Sequence, residues 1–296
     1  FGLSWEEYRT LADETYDVIN CAALVKHYGD YSIFEKINVE GLKNIIEFCE
    51  EFGKKLYHSS TISVSGNTMM SLPSSFNPDK KILFGEDDLF INQSLDNVYV
   101  RSKFEAEKFM LEEIAKKRLK GVILRIGNIT NRYVDGKFQE NDLENAFLNR
   151  LKAFLFLKEI PRSMLNNYIE FSPVDMIAQS IITSIMYTEK NTSVLHLYNS
   201  NHLLISDFIS YLNEIGIKMK VVDDDNFKSN LKEILFDSPD SDKVSVLLND
   251  LDSDNNLVYK TNLHITNDFT LKYLSFTDFS WPVITKEYIK KLIENL

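Results

Sequence analysis

The sequence predicts an α/β chain: a doubly wound parallel sheet followed by a smaller, mostly helical C-terminal domain. Two observations carry this reading. Short apolar runs alternate with longer amphipathic ones in the order strand, helix, strand, helix, strand, at a spacing that suits right-handed crossovers. Beyond Gln139 that alternation stops and helical patterns dominate. At roughly 150 residues per domain, 296 residues correspond to about two domains. The first is expected over 1–138, with 171–200 returning to it, and the second over 139–170 and 201–296.

The elements follow in chain order. Ser4 and Glu7 form a capping box that opens a helix running to about Glu14. Tyr16 to Asn20 reads as a short buried strand that ends at the small residues Ala22 and Ala23. A long amphipathic helix is expected over Tyr31 to Phe52, with Ile37, Leu42, Ile45, Ile46 and Cys49 on its apolar face. Lys55 to Ser60 is the next strand. From Ser65 to Asp96 no period is visible, and a loop that long is usually functional or mobile. Val98 to about Lys117 is a strong helix and Gly121 to Gly127 a buried strand. Further helices are expected near Glu140–Phe154 and Pro173–Met186, with one more strand at Ser193–Tyr198.

Composition excludes several classes of function. The net charge is −11, from 44 acidic and 33 basic residues, which disfavours nucleic acid and anionic membrane surfaces. Two cysteines, Cys21 and Cys49, make no disulfide framework and read as packed free thiols of a reducing, cytoplasmic compartment. The five histidines, His27, His58, His196, His202 and His264, have no metal-ligand spacing, so no metal site is expected. The acidic clusters Asp223–Asp225 and Asp250–Asp254 read as solvated turns. Arg150, Lys152, Lys158 and Arg162 are a candidate basic patch or, more simply, a solvated helix face.

Ligands of such sheets sit beyond the carboxyl ends of the strands. That selects Asn20–Ala23, Ser59–Gly66 and Arg125–Thr130, together with Tyr99-x-x-x-Lys103 at the start of the strong helix. The i, i+4 spacing puts phenol and ammonium on one helical face, where the cation is expected to lower the phenol's pKa. With 14 tyrosines such a pair also arises by chance, and Tyr133–Lys137 is a second instance, in an apparent loop. The hydroxyl cluster Ser59-Ser60-Thr61 at the end of the preceding strand supplies the context that the pair alone lacks.

Asn20-Cys21-Ala22-Ala23, Asn38-Val39-Glu40-Gly41, His58 to Gly66, Tyr99-x-x-x-Lys103 and Arg125-Ile126-Gly127-Asn128 occur in this order. Together they resemble the extended short-chain dehydrogenase/reductases, a Rossmann-like superfamily. Asn97 to Glu107, Phe171-Ser172-Pro173-Val174-Asp175 and Phe279-Ser280-Trp281-Pro282 narrow the likeness. They resemble the terminal thioester reductase domains of nonribosomal peptide and polyketide synthetases, over essentially the whole chain.

The resemblance implies that NADPH delivers hydride to an acyl or peptidyl thioester on a carrier protein's phosphopantetheine arm, releasing an aldehyde or alcohol. It further implies that Thr61, five residues before Gly66, is the hydroxyl of the catalytic triad, with Ser60 the runner-up. Tyr99 would donate a proton to the hemithioacetal oxygen and Lys103 would hold the nicotinamide ribose. Ala22 and Ala23 would line the cofactor path and Asn128 would sit by the nicotinamide end. Asn38 would brace the active-site strand, and Trp281 and Pro282 would anchor the C-terminal helix. Asp175 reads as a helix-start carboxylate, and Phe154–Leu157 as either core or the mouth of an acyl tunnel.

The Gly-rich pyrophosphate turn of the superfamily has no counterpart among the ten glycines. Tyr16–Asn20 matches the family's fourth strand, so the first three strands are expected upstream of Phe1 and the chain is expected to be a fragment. Its first strand should then present an unpaired apolar edge. Two other readings stay open: a non-catalytic carrier-docking module, and a sugar-nucleotide epimerase or dehydratase of the same superfamily.

Overall fold

A computed structural model describes residues 1–26, 28–66, 82–138, 145–187, 192–251 and 263–296. His27, Pro73, Pro78, Glu140 and Asp252–Asp254 lie outside the described residues. The chain divides into two compact units. The first comprises Phe1–Gly127, Ser180–Leu197 and Asn262–Phe279; the second comprises Asn128–Gln179, Tyr198–Thr261 and Ser280–Leu296.

In the first unit, helix α1 (Trp5–Glu14) begins at Ser4, and the Ser4–Glu7 capping box is formed in both directions. Strand β1 (Asp17–Asn20) is followed by α2 (Tyr31–Phe34), a π turn at Glu35–Glu40 and α3 (Gly41–Phe52). The helix expected over Tyr31–Phe52 thus runs through all these residues, with a π turn inside it. Next come β2 (Lys55–Thr61), a 3₁₀ turn at Ile62–Ser65, β3 (Ile82–Phe84), α4 (Val98–Ala115) and β4 (Lys120–Ile126). The strand Val194–Leu197 completes a parallel sheet in the order β1, β2, β4, Val194–Leu197.

Alternation along the central strands places residues in two apolar layers, as strand geometry requires. Leu56 and Ile123 pack with Leu42, Ile46, Ala106 and Met110 of α3 and α4. Tyr57, Val122 and Leu124 pack with Leu195, Leu197, Ile181 and Ile185. Helices thus cover both faces, which confirms the expected α/β, Rossmann-like class. Complete burial of a side chain such as Leu56 stabilises the fold by about 1.5–3 kcal/mol. Among the described residues β1 pairs only with β2, and Ile19 on it is 46% exposed, as expected of an edge strand. Beside β1, Phe1, Leu11, Val18, Ile45 and Phe48 line a cavity of about 290 Å³. Cys49 is buried but Cys21 is exposed, because β1 ends at Asn20 and the chain leaves the sheet there.

A parallel pairing of β3 with Leu263–Ile265 also belongs to this unit and had no sequence signal. The second unit is gathered around Leu151, Phe154, Phe171, Phe208, Leu212, Phe227, Tyr288 and Leu292. Phe154 is therefore core, whereas Phe156 is 39% exposed with Lys243 over its ring. Asp175 accepts from the backbone N–H groups of Tyr133 and Met176, which assigns it a structural role. The carbonyls of Trp281 and Pro282 accept from Asn201 and Asn199. Arg162 of the candidate basic patch pairs with Asp223. Among the described residues no helix is long and apolar enough to cross a membrane.

Two buried features have measurable consequences. Gly66 has φ +66°, and a Cβ there would lie 2.8 Å from the Cβ of Gln93. Gln93 cannot yield, because its amide donates to Val64 and Leu89 carbonyls and accepts from the Ile91 N–H. Gly66→Ala is expected to lower unfolding free energy by about 1–3 kcal/mol, measured by urea denaturation.

The imidazoles of His58 and His196 are buried, and burial holds both below their ordinary range, His196 at about 3. As pH falls through 6.5, the unfolded chain takes up protons that the folded one refuses, so these groups cost stability on the acid side. Glu170, pushed up to about 7 by burial, acts in the opposite sense over the same interval. Comparison with a variant isolates the histidine. Between pH 6.5 and about 5, His196→Gln should lose less stability than the parent, read as the shift in urea midpoint.

Candidate active site

The end of β2 and the first two turns of α4 bring the predicted hydroxyl, phenol and ammonium together. Asn97 caps α4, its carboxamide oxygen accepting from the N–H groups of Tyr99 and Val100 at 3.0 and 3.1 Å. That cap fixes where the helix starts and hence which face carries Tyr99, Lys103 and Glu107, spaced i, i+4, i+8. Thr61 ends β2 and caps the following 3₁₀ turn, its hydroxyl accepting from the Ser63 N–H at 3.1 Å.

The Thr61 side chain lies near enough to the Tyr99 phenol to act on its ionisation. The Lys103 ammonium, 3% exposed, donates to the Ser59 carbonyl at 2.9 Å. Ser60, the alternative hydroxyl, is turned away from this pair and donates to Glu107 Oε1 at 2.5 Å. The structure therefore brings Thr61, and not Ser60, to Tyr99.

The electrostatics differ from the sequence expectation in one respect. Lys103 was expected to lower the Tyr99 phenol, yet burial dominates and pushes it up to about 12, against the opposing hydrogen bond from Thr61. The phenol is therefore fully protonated near neutrality and available as a donor. Burial pushes Lys103 down to about 8, with the negative charge of Glu107 opposing the shift. A protonated phenol and a cation at one strand end can stabilise negative charge developing on a carbonyl oxygen.

The remaining predicted residues are placed as follows. Ala22 and Ala23 lie in the turn after β1, where the Ala22 N–H donates to the Asn20 side chain at 3.1 Å. Asn20 also meets His58 Nδ1 at 3.0 Å. Asn38 is bonded to the Leu24 N–H and carbonyl and to Ser102 Oγ, so it pins the turn after β1 to α4 rather than bracing the strand itself. Asn128 belongs to the second unit, where its N–H donates to Glu170 at 2.7 Å. Tyr133 of the second Tyr-x-x-x-Lys donates to the Val283 carbonyl, and Gly136 forms a turn at φ +73°.

Sequence reasoning gave no role to the charged residues beneath the pair. Glu107 and Arg125 are fully buried, with Arg125 Nη2 2.9 Å from Glu107 Oε2 and Arg125 Nε donating to the same oxygen at 3.0 Å. Arg125 Nη1 lies 3.0 Å from His196 Nε2, and the ring of Phe84 sits 4.8 Å from the guanidinium. His196 Nδ1 meets the Thr266 carbonyl at 2.6 Å. The available signal was an Arg inside an otherwise apolar strand. Such a charge needs a buried partner.

Known proteins have similar sequences and folds. L-2-aminoadipate reductase large subunit of Candida glabrata is 25% identical over 254 residues, covering 84% of this chain and 18% of that protein. A thiolation-reductase di-domain from an archaeal non-ribosomal peptide synthetase superposes with a TM-score of 0.80 at 31% identity, covering 98% of this chain and 59% of that one. The terminal R domain of the myxalamid PKS-NRPS pathway gives a TM-score of 0.80 at 24% identity, covering 99% and 70%, and shows the fold. The chain thus spans less than a fifth of the length of that aminoadipate reductase. The model of an NAD-binding family, described as male sterility protein, matches residues 1–181, more than half of the sequence. The chain belongs to the male sterility protein family of NAD-binding domains.

Proposed function

We propose that the chain carries the reactive residues of an NADPH-dependent reductase that releases an acyl or peptidyl thioester from a carrier protein as an aldehyde or alcohol. The observation that carries this reading is the juxtaposition of Thr61 at the end of β2 with Tyr99 and, one helical turn on, Lys103, in a chain of an NAD-binding family.

The donor set fits the nicotinamide end of such a cofactor. Among the described residues the ammonium of Lys103 spends one of its three N–H donors on Ser59, leaving the others for ribose hydroxyls. Ala22 and Ala23 present only methyl groups along the path. No G-x-G-x-x-G run occurs in the 296 residues, so no residue is assigned to the phosphates. When bound, the reduced dinucleotide supplies the hydride. Tyr99 donates a hydrogen bond or proton to the oxygen of the thioester carbonyl as its charge grows, and Thr61 orients the phenol. Lys103 holds the ribose and adds positive charge beside the same oxygen. Substrate and carrier contacts are assigned to the second unit.

Tyr99→Phe removes the donor and keeps the ring. In the natural protein it is expected to lower kcat for aldehyde formation by about 10²–10⁴. The measurement is NADPH consumption with a phosphopantetheine-bound thioester, the aldehyde being identified by mass. An unchanged yield would remove Tyr99 from the mechanism. Turnover of a nucleotide sugar in place of the thioester would support the epimerase reading instead.

A further inference from the structure

Glu107 occupies the third position of the face that carries Tyr99 and Lys103, and it is fully buried. Three groups converge on or depend on its carboxylate. Arg125 of β4 forms the ion pair, and Ser60 of β2 donates its hydroxyl. Lys103, whose own hydrogen bond goes to a neutral carbonyl, feels the remaining negative charge. Ser60 lies between Ser59, which receives Lys103, and Thr61, which meets Tyr99.

Stability alone does not account for this arrangement. A buried ion pair is often matched or bettered by apolar residues of the same volume, because desolvation offsets its Coulomb energy. The position of the charge has a different consequence. An ammonium buried beside a carbonyl loses its proton readily unless an anion lies close by.

We propose that Glu107 is a positioning residue for the Thr61–Tyr99–Lys103 site. Its carboxylate, fixed by Arg125 and Ser60, keeps Lys103 charged and ties the end of β2 to α4. The inference rests on the reading of Tyr99 and Lys103 as the reactive pair, and it adds the group that sets the charge of one of them. The titratable groups facing Lys103 are Tyr99 and Glu107 on α4, His58 on β2 and Cys21 just beyond β1. His58 is held neutral by its burial and by the lysine itself. Arg125 directs its other nitrogen toward His196 and the Gly85 carbonyl. Glu107 is therefore the anion that faces Lys103 through the interior.

The test is an NMR titration of Lys103 in the protein as it stands, with lysine labelled at ¹³Cε and the signal assigned by its loss in Lys103→Arg. The parent should titrate near 8. Glu107→Gln should titrate at least about one pH unit lower, a tenfold loss of proton affinity. Ser60→Ala keeps both charges and should leave the midpoint within a few tenths of a unit. Should Glu107→Gln not fold, Glu107→Gln/Arg125→Met leaves no charge stranded and should also titrate below the parent. A folded variant without the carboxylate and with an unchanged Lys103 midpoint would overturn the proposal. The titration needs neither cofactor nor thioester. Its failure is thereby separate from a failure of the reductase reading, which the Tyr99→Phe assay decides.

Discussion

Burial of the Lys103 ammonium is the constraint around which the first unit is arranged. Taking a primary amine out of water costs several kcal/mol unless other groups answer the charge. Here a strand-end carbonyl supplies the hydrogen bond and a carboxylate one helical turn away supplies the field. Both require α4 to lie against the end of β2 in one register. The Asn97 cap and the packing of Ala106 and Met110 on the sheet provide it. Tyr99 and Thr61 meet as a consequence of that docking.

Much of this was legible in the sequence because it depends on local periodicity. β1 and β4 are short apolar runs flanked by small or polar residues, β2 sets Leu56 and Tyr57 ahead of a hydroxyl cluster, and the capping box at Ser4 needs only residues three apart. Tyr99 and Lys103 share a face for the same local reason. What escaped depends on long-range contact. β3 pairs with Leu263–Ile265 across most of the chain, and three residues a side are too few for either to show a strand period. Glu107 sits in a helix rich in charged residues, where a single buried carboxylate looks like its solvated neighbours. Cys21, in an apolar stretch, is exposed because the strand stops one residue earlier. The phenol of Tyr99 moves opposite to expectation because burial outweighs a nearby cation, and burial cannot be read from spacing.

The buried polar chain behind the site links elements that share no sequence proximity. From Ser60 it runs through Glu107 and Arg125 to His196 and the Thr266 carbonyl, crossing β2, α4, β4 and the strand Val194–Leu197. His196 receives from Arg125 at Nε2 and donates from Nδ1, so its tautomer is set by its neighbours. Each member has a partner at hydrogen-bond distance, a condition under which a polar interior specifies one arrangement instead of several.

The π turn at Glu35–Glu40 bears on how such a site can change over time. A π turn is a helix holding one residue more than its α-helical register accommodates. Asn38 lies inside it and reaches both Leu24 and Ser102. Deleting one residue from this hexapeptide would restore a regular helix and swing everything before the deletion by about 100° relative to α3. The insertion therefore behaves as a ratchet: once the turn after β1 depends on Asn38, shortening the segment disconnects that turn from α4. Homologous chains that keep an Asn at this place should keep the extra residue with it, and chains that lost one should have lost both.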